Sequence, residues 1–217
     1  IRPSLVALYG RTKANVERTS KELGYERFYT DWRKMINDRS IELVDNTLPN
    51  KDHYEPSVYA LESGKHVFCE KPLATTYSEA LEMYNAAKRS GMKHGIGFNY
   101  RWLPAVRVAK KLLDQGYIGN AIYYRATYHE DWATDPTFPL TWRFLRETAG
   151  TGVIGDVGTH IIDLGRFLVG EISKVCGISR RFIQERPLPD LNKKGNVENE
   201  DAFSALLEFD NGAFGVV

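Results

Sequence analysis

The first hundred residues alternate between short apolar runs and longer stretches in which apolar residues recur every three or four positions. The runs have the length and composition of buried strands, and the longer stretches have the spacing of amphipathic helices. Strands that alternate with such helices predict parallel crossovers and a doubly wound sheet. The predicted strands cover residues 5–8, 28–29, 41–45, 66–69 and 93–98, and the predicted helices cover residues 13–23, 31–36, 52–63 and 78–90.

The pattern changes near Tyr100. One more helix is predicted over residues 104–115, and strand-like segments then dominate at 121–130, 172–184, 201–209 and 213–217, the last two joined by an Asn211-Gly212 hairpin turn. Because few helices separate these segments, we predict a second, mostly antiparallel sheet. We therefore expect two domains, residues 1–99 and 100–217, with a flexible loop over residues 186–199, which are rich in Pro, Asn and Lys.

Composition narrows the class of protein. Hydrophobic residues make up 42% of the 217 positions, and the net charge is +1, which gives no electrostatic reason to expect nucleic acid or an anionic membrane as partner. Two cysteines fit a reducing compartment, so we expect a cytoplasmic protein, and no apolar run has the length of a membrane span. The chain lacks an initiator methionine and ends inside an apolar strand, so we expect a segment of a longer protein.

Candidate binding groups follow three of the predicted parallel strands. Glu70-Lys71-Pro72 follows the strand at 66–69, Thr47-Leu48-Pro49-Asn50 follows the strand at 41–45, and Gly10-Arg11 follows the first strand. Open α/β sheets bind ligands at this carboxyl edge. Arg11, with no acid at positions 9–12, favours a 2′-phosphate and hence NADP. The alternatives are a capped turn at 47–50 and a solvated loop residue at Arg11.

The stretch from Gly150 to Gly155 spells G-x-G-x-x-G, the pattern of a dinucleotide-binding loop. That pattern needs a strand directly before it and a place at the start of a βαβ unit. Here it follows the charged residues 143–147 and lies in the second half of the chain, so we do not interpret it as that loop.

Asp156, His160 and Asp163 are spaced by four and then three residues, which places them on one face of a predicted helix. A histidine beside a carboxylate suits proton transfer near neutral pH. The alternative is a helix cap at Asp156 and a core histidine. A metal site that adds residues 129–131 is disfavoured, because neighbours on a strand face opposite ways.

Polar and aromatic residues cluster in two further segments, 99–102 and 140–143. Tyr100, Trp142 and Arg143 offer ring faces and donors that suit a polyhydroxylated ligand, although packing between domains would use the same groups. The loop over residues 131–140 is predicted to be ordered and to cover a site.

Taken together, these motifs resemble the Gfo/Idh/MocA family of oxidoreductases over essentially the whole chain. The resemblance rests on four segments in a fixed order. They are Thr47-Leu48-Pro49-Asn50 with His53, residues 64–74 around Glu70-Lys71-Pro72, Asn99-Tyr100-Arg101, and residues 155–160 with their D-x-x-x-H pair.

The resemblance implies an α/β fold: an incomplete Rossmann doubly wound parallel sheet, followed by an α+β domain with a large open, mostly antiparallel sheet that often serves oligomer contacts. It implies hydride transfer between NAD or NADP and a sugar or cyclitol, in a dimer or tetramer. The stretch from Asp131 to Arg143 looks like members that act on inositol or levoglucosan. A non-catalytic, dinucleotide-binding sensor with the same fold is the alternative.

The resemblance also assigns roles, and it implies a cis Lys71-Pro72 bond; from the strand argument above we expect no metal. His160 would be the general base, Lys71 would hold the reacting oxygen, and Asp156 would support the relay. The substrate would also contact Tyr100, Trp142 and Arg143. The residues expected to bind the cofactor are Gly10, Arg11, Thr47, Leu48, Pro49, Asn50, His53, Glu70, Lys71, Asn99 and Arg101. The chain departs from the family in lacking the first strand and its glycine-rich loop.

Overall fold

A computed structural model describes residues 3–189 and 193–217. The strands are β1 Ala7–Tyr9, β2 Arg27–Tyr29, β3 Leu43–Asn46, β4 His66–Cys69, β5 His94–Ile96, β6 Tyr123–Arg125, β7 Ile172–Arg180, β8 Glu185–Pro187, β9 Lys194–Asn196, β10 Ala202–Phe209 and β11 Phe214–Val216. The helices are α1 Lys13–Leu23, α2 Trp32–Ile36, α3 Tyr54–Glu62, α4 Tyr77–Ser90, α5 Pro104–Asp114, α6 Arg146–Ala149 and α7 Thr159–Leu168. None of these described helices combines the length and the apolar content that crossing a membrane requires.

The chain forms two compact units. The first unit comprises Ile1–Leu48 and Asp52–Gly97, and the second comprises Pro49–Lys51 and Phe98–Val217. The predicted boundary between residues 99 and 100 stays a prediction.

Parallel strands make up the sheets of the first unit, as the alternating pattern predicted. β1 pairs with β2, and β4 lies between β3 and β5. Local chemistry sets the helix ends: the Asp31 carboxylate accepts from two amides at the start of α2, Thr76 and Glu79 form a capping box at α4, and α1 ends at Gly24 in the left-handed conformation. Helices α3 and α4 cover β3 and β4 with a core that includes Val44, Val67, Cys69 and Met83, among others.

The second unit contains a four-stranded sheet in the order β6-β11-β10-β7. Only β6 and β11 run parallel, so the prediction of a mostly antiparallel sheet is confirmed. Phe209 and Leu207 of β10 pack with Ile161 of α7 in its core.

Two predicted strands are shorter than expected. The strand predicted over residues 121–130 is limited to Tyr123–Arg125, which pair with Phe214–Val216 of β11. The strand predicted over 172–184 ends at Arg180, opposite Ala202, where β10 begins. Beyond it, the Asp201 carboxylate accepts from the amides of Phe182 and Ile183 and turns the chain away.

The prediction of a flexible loop over residues 186–199 is wrong for the residues that the structure describes there, and positions 190–192 lie outside them. β8 and β9 pair as an antiparallel hairpin. Arg186 is 1% exposed, its guanidinium lies 4.3 Å from the Phe144 ring, and it donates to the main-chain carbonyls of Asp135 (2.8 Å) and Phe138 (3.3 Å). Although the segment over residues 186–199 has a polar composition, it contains a buried arginine whose hydrogen bonds connect the hairpin to the loop over residues 131–140.

Candidate active site

Lys71 directly follows the middle strand of the three-stranded parallel sheet. The ladder continues one residue past β4, since Glu70 N–H donates to the Asn46 carbonyl (2.9 Å) and Gly97 N–H donates to the Cys69 carbonyl (2.8 Å). The Lys71-Pro72 bond is cis, which confirms that expectation, and Lys71 N–H donates to the Glu70 carboxylate (3.1 Å). Main-chain bonds thus place Lys71 at the carboxyl edge of the sheet.

The segment after β3 is organised by the side chain of Asn46, which is buried. Its amide nitrogen donates to the His53 carbonyl (3.1 Å) and to Ser57 Oγ (3.0 Å), and its amide oxygen accepts from Leu48 N–H (3.2 Å). These bonds close the loop over residues 47–52 onto the start of α3. Thr47 is exposed on this loop and Pro49 is half-buried.

His53, an expected cofactor contact, lies beneath this loop and is 1% exposed. Its Nε2 lies 2.7 Å from the Leu48 carbonyl oxygen and its Nδ1 lies 2.8 Å from the Pro72 carbonyl oxygen. The ring therefore joins the loop after β3 to the turn after β4, and its ring nitrogens meet main-chain oxygens.

Gly10 and Arg11 lie just beyond β1. A Cβ at Gly10 would lie 2.8 Å from the Cβ of Val16, so glycine permits close packing of the strand end on α1. Arg11 is exposed. Its contact with a ligand at this edge stays a prediction.

Acidic groups lie at the same edge of β3 and β4. Partial desolvation, and after it the charge of Glu70, raise the pKa of Asp45. A Cβ at Gly97 would lie 2.9 Å from a Glu70 carboxylate oxygen, so the end of β5 passes close against this side chain. Glu70 is thereby held beside Lys71 in the chain and against the neighbouring strand.

In the second unit, a single π-helical turn, Ile154–Gly158, precedes α7. Asp156 lies in this wide turn, whereas His160 and Asp163 lie in α7. A π-helix bonds i to i+5, so the spacing of four between Asp156 and His160 is not that of a regular α-helix, which the sequence pattern assumed. Such turns are frequent at functional sites.

His160 is buried against aromatic rings. It stacks on Tyr100 with ring centroids 4.2 Å apart and planes 17° from parallel, and Phe98 meets its edge at 6.2 Å. The plane of the imidazole is therefore set by a ring from the segment before α5. Tyr100 thus contacts the expected base, and its own contact with the substrate stays a prediction.

Tyr100 is itself anchored by Tyr128. Their hydroxyl oxygens lie 2.6 Å apart. The hydrogen bond to Tyr100, burial, and a further bond to Glu130 raise the pKa of Tyr128.

Arg101, an expected cofactor residue, forms a bidentate ion pair with Asp163. Its Nε and terminal nitrogen donate to the two carboxylate oxygens at 2.7 and 2.6 Å, and this bond raises the pKa of Arg101. Asp163 is 5% exposed, and the guanidinium also lies over the Phe167 ring at 5.0 Å. The pair ties the segment after Phe98 to α7, one turn beyond His160.

The remaining predicted residues lie in separate surroundings of the second unit. Asn50 donates to the Ala149 carbonyl (2.9 Å), and Asn99 is exposed. The Arg143 guanidinium lies over the Trp142 ring at 4.5 Å, and its carbonyl accepts from Asn199 (2.9 Å). The half-buried Trp142 and the exposed Arg143 therefore form a contiguous ring-and-cation surface.

The G-x-G-x-x-G stretch has its own partner. Gly152 N–H and Ile154 N–H donate to the Glu200 carboxylate at 2.8 and 3.1 Å, and a Cβ at Gly152 would lie 2.0 Å from the Glu200 carbonyl oxygen. The glycine thus serves close packing inside the second unit, and α6, not a strand, precedes it.

Sequence reasoning did not identify two residues that organise these groups. Asn46 closes the loop after β3, and Tyr128 anchors Tyr100. Asn46 could have been found from the sequence, because it is a polar residue at the end of an apolar strand. Tyr128 gave no local signal, because its partner Tyr100 lies 28 positions away. Across residues 3–189 and 193–217, no three His, Cys, Asp or Glu side chains are grouped as metal ligands.

The first unit fits a dinucleotide by its chemistry. The exposed residues Thr47 and Arg11 lie at the carboxyl ends of parallel strands, and so does the loop that Asn46 closes. Nucleotides bind at this edge in open α/β sheets.

Two family models match the chain. Residues 2–98 match an oxidoreductase family described as an NAD-binding Rossmann fold, which defines a class of nicotinamide-binding oxidoreductases. Residues 106–217 match the GFO/IDH/MocA C-terminal domain. The chain belongs to the Gfo/Idh/MocA family, and the predicted fold class is confirmed.

Similar proteins include a levoglucosan dehydrogenase from Pseudarthrobacter phenanthrenivorans, 42% identical over 210 residues that cover 91% of this chain and 54% of the relative. A scyllo-inositol 2-dehydrogenase (NAD(+)) from Bacillus subtilis is 31% identical, covering 98% and 58%. A solved levoglucosan dehydrogenase in complex with NADH and levoglucosan superposes with a TM-score of 0.96 at 41% identity, covering 99% of this chain and 57% of that chain. The chain spans about half the length of the relatives it matches.

Proposed function

We propose that this protein is an NAD(P)-dependent dehydrogenase that transfers a hydride between a nicotinamide and a hydroxyl-bearing carbon of a sugar or cyclitol. The observation that carries the proposal is the position of Lys71, directly after the middle strand of the parallel sheet. The likeness to a levoglucosan dehydrogenase and a scyllo-inositol 2-dehydrogenase supports the substrate class.

In this proposal the chain's residues divide the proton chemistry. The His160 imidazole takes the proton of the substrate hydroxyl, and the Lys71 ammonium donates to the same oxygen and stabilises charge that develops on it. Asp156 contacts the substrate and supports the relay. When bound, the nicotinamide supplies the hydride acceptor or donor. Stacking on Tyr100 keeps the imidazole plane fixed while its charge changes.

Titration of the full-length protein with NADH and NADPH, followed by assays on anhydrosugars and inositols, tests this function. Cofactor binding with turnover of at least one polyol is the expected result. Cofactor binding without turnover of any of them would favour a sensor. Substrate contacts by Trp142 and Arg143 predict that Trp142→Ala raises KM more than it lowers kcat.

The choice between NAD and NADP is proposed to depend on Arg11, which is exposed after β1 with no acid at positions 9–12. An arginine there pairs with a 2′-phosphate. Arg11→Ala should weaken NADPH binding and leave NADH binding unchanged, and equal loss of both would remove this role. The other residues expected to bind the cofactor are proposed to contact it, apart from three. His53, Asn50 and Arg101 are proposed to act through the contacts that they make within the protein.

The protein is further proposed to form a homo-oligomer, a dimer or tetramer, through the four-stranded sheet. Tyr123, Leu206 and Phe214 share one face of that sheet, by strand register, and are 50%, 62% and 59% exposed. Exposed apolar residues on a sheet face suit contact with a second copy, and the same face also carries the ion pair between Lys174 and Glu208. Sedimentation should show an oligomer that Leu206→Asp dissociates.

Cys69 and Cys176 are free thiols, which supports a cytoplasmic location.

A further inference from the structure

His53 is a buried histidine whose two ring nitrogens both meet carbonyl oxygens. Nε2 lies 2.7 Å from the Leu48 oxygen and Nδ1 lies 2.8 Å from the Pro72 oxygen, and the side chain is 1% exposed. These two oxygens belong to different segments, the loop after β3 and the turn after β4.

The geometry constrains the protonation state of the ring. A carbonyl oxygen only accepts, and a neutral imidazole has a single N–H, so a neutral ring would set a nitrogen lone pair against one of the oxygens. An imidazolium donates from both nitrogens. Both distances are shorter than the common N–H···O distance of about 2.9–3.0 Å. They fall in the range of charge-assisted bonds, about 2.7–2.9 Å.

A buried cation costs free energy unless hydrogen bonds and opposite charges compensate for it. At His53 the two carbonyl oxygens supply the hydrogen bonds. The segments that carry these carbonyls are acidic on balance, with four carboxylates and two lysines. Their ionisable side chains, apart from His53 itself, are Asp45, Lys51, Asp52, Tyr54, Glu55, Cys69, Glu70 and Lys71.

We infer that His53 is held as an imidazolium that clamps the Leu48 loop to the Lys71-Pro72 turn, so that it positions Lys71 and does not itself contact the dinucleotide. The resemblance to the family implied a direct cofactor contact. The protonation state stands on geometry alone, and only the kinetic consequence rests on the proposed function.

The protonation state is tested by ¹⁵N NMR of the full-length, histidine-labelled protein near pH 8. His53 is expected to show two protonated ring nitrogens there. His53→Gln assigns the signal by its disappearance. One protonated and one bare nitrogen on His53 at that pH would overturn the inference, whether or not the protein turns over any polyol.

The positioning role is tested by kinetics. Misplacing a reacting group by about 1 Å costs up to about a hundredfold, so His53→Gln should lower kcat by about ten- to a hundredfold while the Kd for NADH changes by no more than about twofold. His94→Gln is the matched control and should change neither quantity. A large rise in the Kd for NADH with unchanged kcat would instead show a direct cofactor contact. If His53→Gln does not fold, His53→Asn and the NMR signature of the wild-type protein decide the matter.

Discussion

The two units hold their candidate catalytic groups in different ways. In the first, main-chain bonds position Lys71: strand pairing continues to Glu70, and carbonyls of the adjacent turns receive the ring of His53. In the second, side chains position His160, through the Tyr100 ring and the Arg101–Asp163 pair. The difference teaches where substitutions act. A change of the Lys71 side chain leaves the strand bonds that place this residue intact, whereas a change at Tyr100 or Arg101 removes the groups that position His160.

The largest expected effect is at Lys71. Lys71→Ala removes the ammonium and leaves the strand bonds on either side, so kcat should fall by about a hundred- to a thousandfold, the loss typical of one donor to a developing oxyanion. The protein should still fold and bind NADH, as thermal unfolding and calorimetry would show.

Lys93→Ala, at an exposed lysine before β5, is the control and should retain full activity. A marked loss of stability in Lys71→Ala would break the comparison, because the turn would then depend on the side chain.

The second largest effect is on stability, at Arg101. Arg101→Ala leaves Asp163, whose side chain is 5% exposed, without its bidentate partner. Losing one partner of a fully buried pair costs about 3–5 kcal/mol. Because the Arg101 side chain is 37% exposed, we expect the free energy of unfolding to fall by less, about 2–3 kcal/mol. Urea unfolding measures this loss.

Arg166→Ala provides the contrast. Arg166 also bonds a carboxylate, that of Glu171, but the two side chains are 48% and 63% exposed, so its loss should cost no more than about 0.5 kcal/mol. Equal losses in the two variants would mean that burial does not separate these pairs.

A smaller effect is expected on the orientation of His160. Tyr100→Leu removes the stacked ring, so kcat should fall by about tenfold, as expected for a general base that loses its alignment. Tyr100→Phe keeps the ring and should recover most of the rate, and Tyr128→Phe should resemble it. Steady-state assays would separate these cases, and a Phe variant as slow as the Leu variant would assign the effect to the hydroxyl.

The smallest effect concerns the core beneath Lys71. Burial raises the pKa of the Cys69 thiol from its ordinary 9.0 to about 12. Between these values the folded protein keeps a proton that the unfolded chain has lost, so stability falls as pH rises, by at most about 1.4 kcal/mol per pH unit.

Urea unfolding at pH values from about 9 upward measures this slope. Cys69→Ala should be less stable overall and should lose stability less steeply with pH, whereas Cys176→Ser, at the exposed thiol on β7, should keep the wild-type slope. An unchanged slope in Cys69→Ala would show that this thiol does not contribute.

Local patterns sufficed for much of the fold. Apolar runs and glycine stops located the parallel strands, and Asp31 indicated the start of its helix, because these signals act within a few residues. The length of β7 could not be obtained in this way, since β7 ends opposite Ala202, where its partner β10 begins. Arg186 was misassigned for a similar reason: its ring and carbonyl partners lie about 40 to 50 positions away in the chain.

In the candidate site, too, features with a local sequence signal could be predicted and those that depend on distant residues could not. Lys71 and the cis bond after it follow from a short motif that resembles the family. The ion pair between Arg101 and Asp163, 62 positions apart, carries no local signal, and the cofactor contact that the resemblance implied for Arg101 stays a prediction. Asp156 and His160 were found by spacing, although the π-helical turn between them was not.

Arg186 has a consequence for how this protein can change over evolutionary time. Its guanidinium donates hydrogen bonds to main-chain carbonyls of the loop over residues 131–140. Every amino acid has such a carbonyl. The side chains of that loop can therefore be exchanged while its path is kept, whereas an added or deleted residue would pull the carbonyls out of register with the guanidinium. New ligand preferences in this lineage should then arise through substitutions at constant loop length.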